Sequence, residues 1–212
     1  SGIDFKANWQ GGDFRGIIQK IDNGYFTDMG INAIWISSPI VNTPNAGIGM
    51  GGDTRYYSPY HSYWPIGTGW TDERPIDGLD SPIEPHFGTE ADLHELISKA
   101  HEKGIRVLFD FVPNHVHTDS QFWKKHKNDT PAWFHFAHDG QFANENGGYN
   151  CGWELPIECW FTSYLADIDY TNMSAQNAVI DHLIWLIQTY DVDGLRLDAI
   201  RLMVVDFTTT LK

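Results

Sequence analysis

Basic residues are scarce in this 212-residue chain. Lys and Arg together number 14 against 28 Asp and Glu, which leaves a formal net charge of −14 at pH 7. A charge of that sign repels phosphate backbones and anionic lipid surfaces. The composition therefore argues against nucleic-acid and membrane partners, and it favours neutral substrates or bound cations.

Cysteine and long apolar runs are also scarce. The two cysteines, Cys151 and Cys159, stand in a loop-like region at a C-x7-C spacing that matches no common zinc site. Their closeness is compatible with a disulfide in an oxidising compartment. No apolar run approaches the roughly 20 residues of a transmembrane helix. No signal peptide is recognisable, so we expect a mature or truncated chain.

Hydrophobic residues nevertheless make up 42% of the chain, which is enough for a folded domain with a large core. Three amphipathic helical patterns each precede an apolar, strand-like run. Helices are predicted over residues 14–29, over residues 90–103 after an N-cap at Thr89, and after an N-cap at Ser174. The strands are predicted over 31–37, 105–112 and 192–198. This alternation indicates an α/β fold with a parallel sheet, either doubly wound or a (β/α) barrel.

Two long segments interrupt the alternation, residues 38–88 and residues 116–166. Long segments without regular structure are uncommon in compact domains and are usually functional. Both follow the carboxyl ends of predicted strands, where barrel enzymes build their active sites. A barrel needs eight strands and only three are clear here, so we expect further segments, in the same precursor or another chain, to complete the sheet.

Charged residues near the end of the chain point to a reaction site. In DGLRLDAIR, residues 193–201, Arg196 and Asp198 lie on one face of a predicted strand. Buried charges are costly unless they are paired or used. The preceding strand ends in DFVPNHVH, and His115 with His117 also permits a zinc-hydrolase interpretation if a neighbouring strand supplies another ligand.

Four motifs in order give these residues a family context. The sequence resembles the α-amylase superfamily (glycoside hydrolase family 13) in YHSYWP (60–65), DFVPNH (110–115), LADID (165–169) and GLRLDAIR (194–201). The resemblance implies part of a (β/α)8 TIM barrel, from about the first helix to the fourth strand, with an irregular domain B inserted after the third strand. The implied division is barrel over 1–115, domain B over 116–166, and barrel again over 167–212.

The resemblance also implies roles for individual residues. Asp198 matches the catalytic nucleophile of a retaining glycosidase, and Arg196 matches the arginine that keeps it ionised and oriented. Tyr63 and His115 match groups that contact the sugar at the cleavage point. Arg201 matches a basic residue on the acceptor side of the substrate.

A structural calcium ion is part of the same resemblance. Asn114, Asp167 and the backbone carbonyl of Leu202 match its ligands, and oxygen donors suit this hard cation. Cys151 and Cys159 fall where some secreted members have a disulfide in domain B. We therefore expect a secreted or periplasmic protein.

Some features depart from the family pattern. Arg201-Leu202 stands where many members have Lys-His, and Ala166 stands where a proline is usual. The family's general acid and transition-state aspartate follow later strands that these residues do not include, so the chain alone is not expected to turn over substrate. The sequence thus predicts an α-amylase-type hydrolase of α-1,4-glucans. The alternatives are an α-glucan transglycosylase and a non-catalytic homologue that binds glucan or a partner.

Overall fold

The structure is a computed structural model that describes residues 12–49, 53–59, 61–66, 82–135, 160–203 and 205–210. Cys151 and Cys159 lie outside the described residues, so their predicted disulfide stays a prediction. In chain order the elements are α1 (Phe14–Asp22), α2 (Tyr25–Asp28), β1 (Ala33–Ile36), β2 (Gly47–Ile48), β3 (Tyr56–Tyr57), α3 (Glu90–Glu102), β4 (Arg106–Phe111), β5 (His115–His117), α4 (Gln121–His126), β6 (Leu165–Asp167), α5 (Met173–Tyr190), β7 (Gly194–Leu197), a 3-10 helix (Ile200–Leu202) and α6 (Val205–Thr210).

The three strongest strands form one parallel sheet in the order β1–β4–β7. Helix α3 connects the first pair of these strands, and α5 precedes the third. The predicted parallel strands and their helices are therefore present, although each strand is one or two residues shorter at each end than predicted. Within the described residues no helix is long and apolar enough to cross a membrane.

The helix boundaries follow local capping chemistry. Thr89 caps α3 through a capping box with Asp92, as predicted. Helix α5 is capped by Asn172, whose side chain accepts from the backbone of Ser174, so the predicted cap at Ser174 is wrong. The predicted helix over 14–29 is two helices, because Gly24 adopts φ 80° between α1 and α2.

The core lies on the helix-covered face of the sheet. Apolar side chains of α3 and α5 pack against alternate residues of β4, including Val107 and Phe109, which are fully buried. The opposite face of β4 carries Asp110, next to Arg196 on β7. Alternation along the strand thus separates an apolar helix-facing side from a side that bears charge.

A second, smaller ladder joins the two ends of the predicted domain B. Strand β5 pairs antiparallel with β6, and the register places His115 opposite Asp167 and His117 opposite Leu165. Because residues 136–159 are outside the described part, the domain boundaries at 116 and 166 stay a prediction. The ladder nevertheless brings the residues before and after that segment together beside the main sheet.

Candidate active site

Arg196 lies at the centre of a hydrogen-bonded network at the carboxyl end of the sheet. The register pairs Arg196 on β7 with Asp110 on β4, and Arg196 Nη1 is 3.1 Å from Asp110 Oδ1. The same nitrogen donates to the hydroxyl of Tyr63 at 2.9 Å and to Asp198 Oδ1. Tyr63 in turn donates to Asp110 Oδ2 at 2.8 Å. One guanidinium therefore binds two carboxylates and a phenol.

The network explains how charges can occupy this face of the sheet. Desolvation disfavours the charged form of Arg196, but its hydrogen bonds to Asp110 and Asp198 outweigh that effect and raise its pKa above the usual value. Burial and the bond to Asp110 raise the pKa of Tyr63 to about 12, so its hydroxyl stays protonated as a donor. The arrangement holds Asp198 beside a permanent cation.

Trp35 is a member of this site that was not among the predicted residues. The Arg196 guanidinium carbon lies 5.0 Å from the centre of the Trp35 ring, within the range of a cation–π contact. Trp35 pairs in register with Leu108 on β4, and Leu108 pairs with Gly194 on β7. Because side chains alternate between the faces of a strand, this register puts Trp35 on the same face of the sheet as Arg196. The alternation along β1 is the sequence signal that could have identified Trp35.

His115 joins the site from β5. Its side chain is buried, and its Nε2 donates to the backbone carbonyl of Tyr63 at 2.9 Å. Desolvation lowers the pKa of His115 to about 4, so the imidazole is neutral near pH 7. The structure thus links Tyr63 and His115, the two residues predicted to contact the sugar, through a direct hydrogen bond.

Arg201 is placed separately from this network. It lies in the 3-10 helix that begins two residues after Asp198, and its side chain is exposed. Ala199, between them, adopts a left-handed φ of 55° and turns the chain away from the strand. An exposed cation at this position can meet a substrate that extends beyond Asp198.

The predicted metal ligands Asn114 and Asp167 lie against each other. Asn114 Nδ2 donates to Asp167 Oδ1 at 2.8 Å, and both side chains are almost completely buried. Asn114 Oδ1 is also buried and accepts no hydrogen bond. Buried acceptors are rarely left unpaired, so this oxygen fits a position that coordinates a cation. Leu202, the third predicted ligand, lies in the 3-10 helix with its side chain buried.

His135 is the second residue that the sequence prediction missed. Its Nδ1 lies 2.7 Å from Asp167 Oδ2, and its Nε2 lies 3.3 Å from Asp169 Oδ1. Burial raises the pKa of Asp167 to about 7, and the bonds from His135 and Asn114 oppose part of that rise. No sequence motif marked His135, because its contact with Asp167 spans 32 positions and depends on the tertiary fold.

The zinc interpretation receives no support from the described part of the chain. It requires His115 and His117 to meet another ligand, and no group of three His, Cys, Asp or Glu side chains there is arranged to hold a metal ion. His117 Nδ1 instead accepts from the backbone of Asp119 at 3.0 Å.

The fold and this site together define a class of protein. Parallel strand–helix units that carry a charged network at the carboxyl ends of adjacent strands are typical of barrel enzymes. The family model described as "Alpha amylase, catalytic domain" matches residues 4–210. The chain therefore belongs to the α-amylase family, and the predicted part of a (β/α)8 barrel is confirmed.

Individual relatives agree with this assignment. Cyclomaltodextrin glucanotransferase from Bacillus sp. (strain 6.6.3) is 34% identical over 209 residues, covering 90% of this chain and 25% of the relative. The beta/alpha-amylase of Paenibacillus polymyxa is 34% identical over 198 residues, covering 92% and 14%. A solved α-amylase from Geobacillus thermoleovorans, complexed with acarbose, matches with a TM-score of 0.68 and 27% identity, covering 100% of this chain and 40% of that one. The chain spans about a quarter of the length of the glucanotransferases that it matches.

Proposed function

We propose that the complete protein containing this chain is a retaining enzyme that cleaves α-1,4-glucosidic bonds in starch-like glucans. The observation that carries the proposal is the network in which Arg196 binds Asp198, Asp110 and Tyr63 at the carboxyl end of the sheet. A carboxylate held beside a fixed cation is suited to nucleophilic attack. Membership of the α-amylase family supports glycoside hydrolase or glucanotransferase chemistry.

In the proposed reaction, Asp198 attacks the anomeric carbon and the bond to the leaving sugar breaks, which forms a covalent glycosyl-enzyme. Water then attacks the same carbon and releases Asp198 with retention of configuration. Arg196 keeps Asp198 in position and Tyr63 stacks on the sugar. Neutral His115 lines the same subsite while its Nε2–H donates to the backbone carbonyl of Tyr63. Arg201 contacts the acceptor side.

The proton for the leaving oxygen has to come from a second carboxyl group. Retaining glycosidases place that group about 5–5.5 Å from the nucleophile. Asp110 is unsuited, because both its oxygens already accept from Tyr63 and Arg196. We propose that the general acid and the strands that complete the barrel belong to further segments outside this chain, and that the chain alone is inactive.

Transfer of the glycosyl group to another sugar is the second candidate activity. It is favoured by the 34% identity to a cyclomaltodextrin glucanotransferase. Arg201-Leu202 stands on the acceptor side where many family members have Lys-His. This departure from the pattern is compatible with either water or a sugar as the acceptor of the glycosyl group. Cyclic products from soluble starch would favour transfer, whereas linear maltooligosaccharides of falling length would favour hydrolysis. A non-catalytic, glucan-binding homologue would bind starch and yield neither product.

We also propose that the protein holds a structural calcium ion. Asn114 and Asp167 would supply side-chain oxygens and Leu202 a backbone carbonyl. The unpaired buried oxygen of Asn114 supports this assignment. When bound, calcium supplies a fixed positive charge that joins the ends of domain B to the barrel.

Export to the periplasm or the medium, and a bridge between Cys151 and Cys159, complete the proposal. The two are linked, because structural disulfides persist in oxidising compartments. Cell fractionation together with peptide mass analysis under non-reducing conditions tests both. A cytoplasmic protein with free thiols would contradict both the export and the disulfide. It would leave the proposed reaction unaffected.

The decisive test is Asp198→Asn in the complete protein, assayed on soluble starch. We expect turnover to fall by roughly 10³-fold or more, because an amide cannot form the glycosyl-enzyme. Asp191→Asn is the matched control, since Asp191 is 94% exposed and belongs to the C-cap of α5. Retained turnover in Asp198→Asn, with unchanged folding by circular dichroism, would refute the proposed nucleophile.

A further inference from the structure

His135 is held between two carboxylates beside the candidate cation site. Its Nδ1 is 2.7 Å from Asp167 Oδ2 and its Nε2 is 3.3 Å from Asp169 Oδ1. The side chain of His135 is only 12% exposed and that of Asp167 only 3%. The imidazole therefore contacts Asp167 in a region from which water is largely excluded.

The backbone around His135 fixes the position of this ring. His135 N–H donates to the carbonyl of Asp167 at 3.1 Å, and Asp169 N–H donates to the carbonyl of Trp133 at 2.9 Å. The indole nitrogen of Trp160, a buried residue, donates to the carbonyl of His135 at 2.8 Å. The segment that carries His135 thus runs alongside β6 and cannot withdraw without breaking these bonds.

The two oxygens of Asp167 have different partners. Oδ1 accepts from Asn114, whose own Oδ1 is the unpaired buried acceptor, and Oδ2 faces His135. With both oxygens engaged, the plane of the carboxylate is set. If the contact to His135 were removed, the bond from Asn114 would be the one remaining side-chain hydrogen bond, among the described residues, to resist rotation of the carboxylate. Its terminal torsion is intrinsically soft.

We propose that His135 is a positioning residue for the cation site: it orients the Asp167 carboxylate and links it to Asp169. The proposal rests on the calcium site of the proposed function. Groups that hydrogen-bond a ligating side chain commonly change metal affinity 10- to 100-fold when they are replaced.

Two substitutions separate this role from simple packing. The amide nitrogen of Asn occupies nearly the position of Nδ1 of His, whereas the amide nitrogen of Gln approximates Nε2. His135→Asn therefore keeps the donor to Asp167 and loses the contact with Asp169. His135→Gln keeps the contact with Asp169 and loses the donor to Asp167. Both replace the ring by a smaller amide, so their packing losses are similar.

The experiment measures the calcium dissociation constant of the complete protein and both variants by competition with a chromophoric chelator. We expect His135→Gln to bind Ca²⁺ about 10-fold more weakly or worse, and His135→Asn to stay within about threefold of wild type. The melting temperature in excess chelator serves as the structural control and should fall equally in both.

Other results overturn the proposal. Wild-type affinity in His135→Gln refutes a positioning role, and equal loss of affinity in the two variants assigns His135 to packing alone. A wild-type protein that binds no calcium removes the proposed site together with this inference. That last result would leave the test of Asp198 as nucleophile unaffected, so the two failures are distinguishable.

Discussion

The polar cluster around Arg196 and the polar cluster around Asn114 differ in how completely their described atoms are paired. In the cluster around Arg196, the guanidinium, both oxygens of Asp110 and the hydroxyl of Tyr63 all have partners. In the cluster around Asn114, one buried oxygen has none. The first cluster is held together by protein donors and acceptors, whereas the second leaves one buried acceptor without a donor. The first cluster therefore satisfies its own charges, and the second fits the proposed cation.

The largest difference between the two clusters is expected when the cation of the first cluster is removed. In Arg196→Gln we expect kcat/KM on starch to fall roughly 10³-fold, because Asp198 loses its charged donor while Asp110 becomes a buried, unpaired carboxylate. The calcium dissociation constant should stay within about twofold of wild type, because Arg196 has no described hydrogen bond to Asn114 or Asp167. The clusters meet only through a long, 3.5 Å contact between Asn114 Nδ2 and His115 Nδ1 among the described residues, and Arg196 takes no part in it.

Arg15→Gln is the control, since the exposed Arg15 of α1 forms its described ion pairs with Asp92 and Glu95 of α3. Steady-state kinetics and calcium titration of the same preparations check both parts. A large loss of calcium affinity in Arg196→Gln would show that the clusters are one coupled unit.

Asn114→Leu tests the second cluster. It replaces the unpaired oxygen with an apolar side chain of similar size, so a cation can no longer be coordinated there. Wild type should gain about 2.7 kcal/mol of unfolding free energy at a calcium concentration 100 times its dissociation constant, and the variant should gain almost none.

In excess chelator Asn114→Leu should still cost about 1–3 kcal/mol, because the buried Asp167 Oδ1 loses its donor even though the unsatisfied acceptor of Asn114 is removed. Thermal unfolding with and without calcium measures both quantities, and Asn32→Leu at an exposed position is the control. If calcium still stabilised the Asn114→Leu variant fully, the cation site would have to lie elsewhere in the protein.

His117 provides a smaller, pH-dependent test, because its hydrogen bond with the backbone of Asp119 requires a neutral ring. Its Nδ1 accepts from the backbone of Asp119, and desolvation lowers the pKa of His117 to about 4 from an ordinary 6.5. The folded state thus favours the neutral ring. Between pH 6.5 and about 4 only the unfolded chain takes up this proton. The contribution of His117 to stability is therefore intact above pH 6.5 and is lost on acidification, by about 3 kcal/mol.

The measurement compares chemical unfolding of wild type and His117→Asn between pH 7 and pH 4. Asn supplies an acceptor to Asp119 and cannot titrate, although it loses the ring stacking of His117 on Trp64. Wild type should be the more stable at pH 7, and its advantage should shrink as the pH falls. A difference that is constant with pH would contradict the assigned protonation state.

The sequence predicted what depends on local pattern and missed what depends on tertiary contact. The parallel units, the cap at Thr89 and the common face of Arg196 and Asp198 follow from periodicity and spacing. The break at Gly24 required a left-handed conformation that a helical pattern does not reveal. His135 could not be found, because its bond to Asp167 is created only when the chain folds back along β6.

The pairing of Asp110 with Arg196 has a consequence for folding. Side chains alternate between the faces of a strand, so a slip of β7 by one residue against β4 would turn Arg196 toward the helices and set it opposite Phe109 or Phe111. An unpaired guanidinium in that apolar layer is strongly disfavoured. Asp110 and Arg196 therefore also act against misfolding, since the native alignment of β4 and β7 pairs their charges.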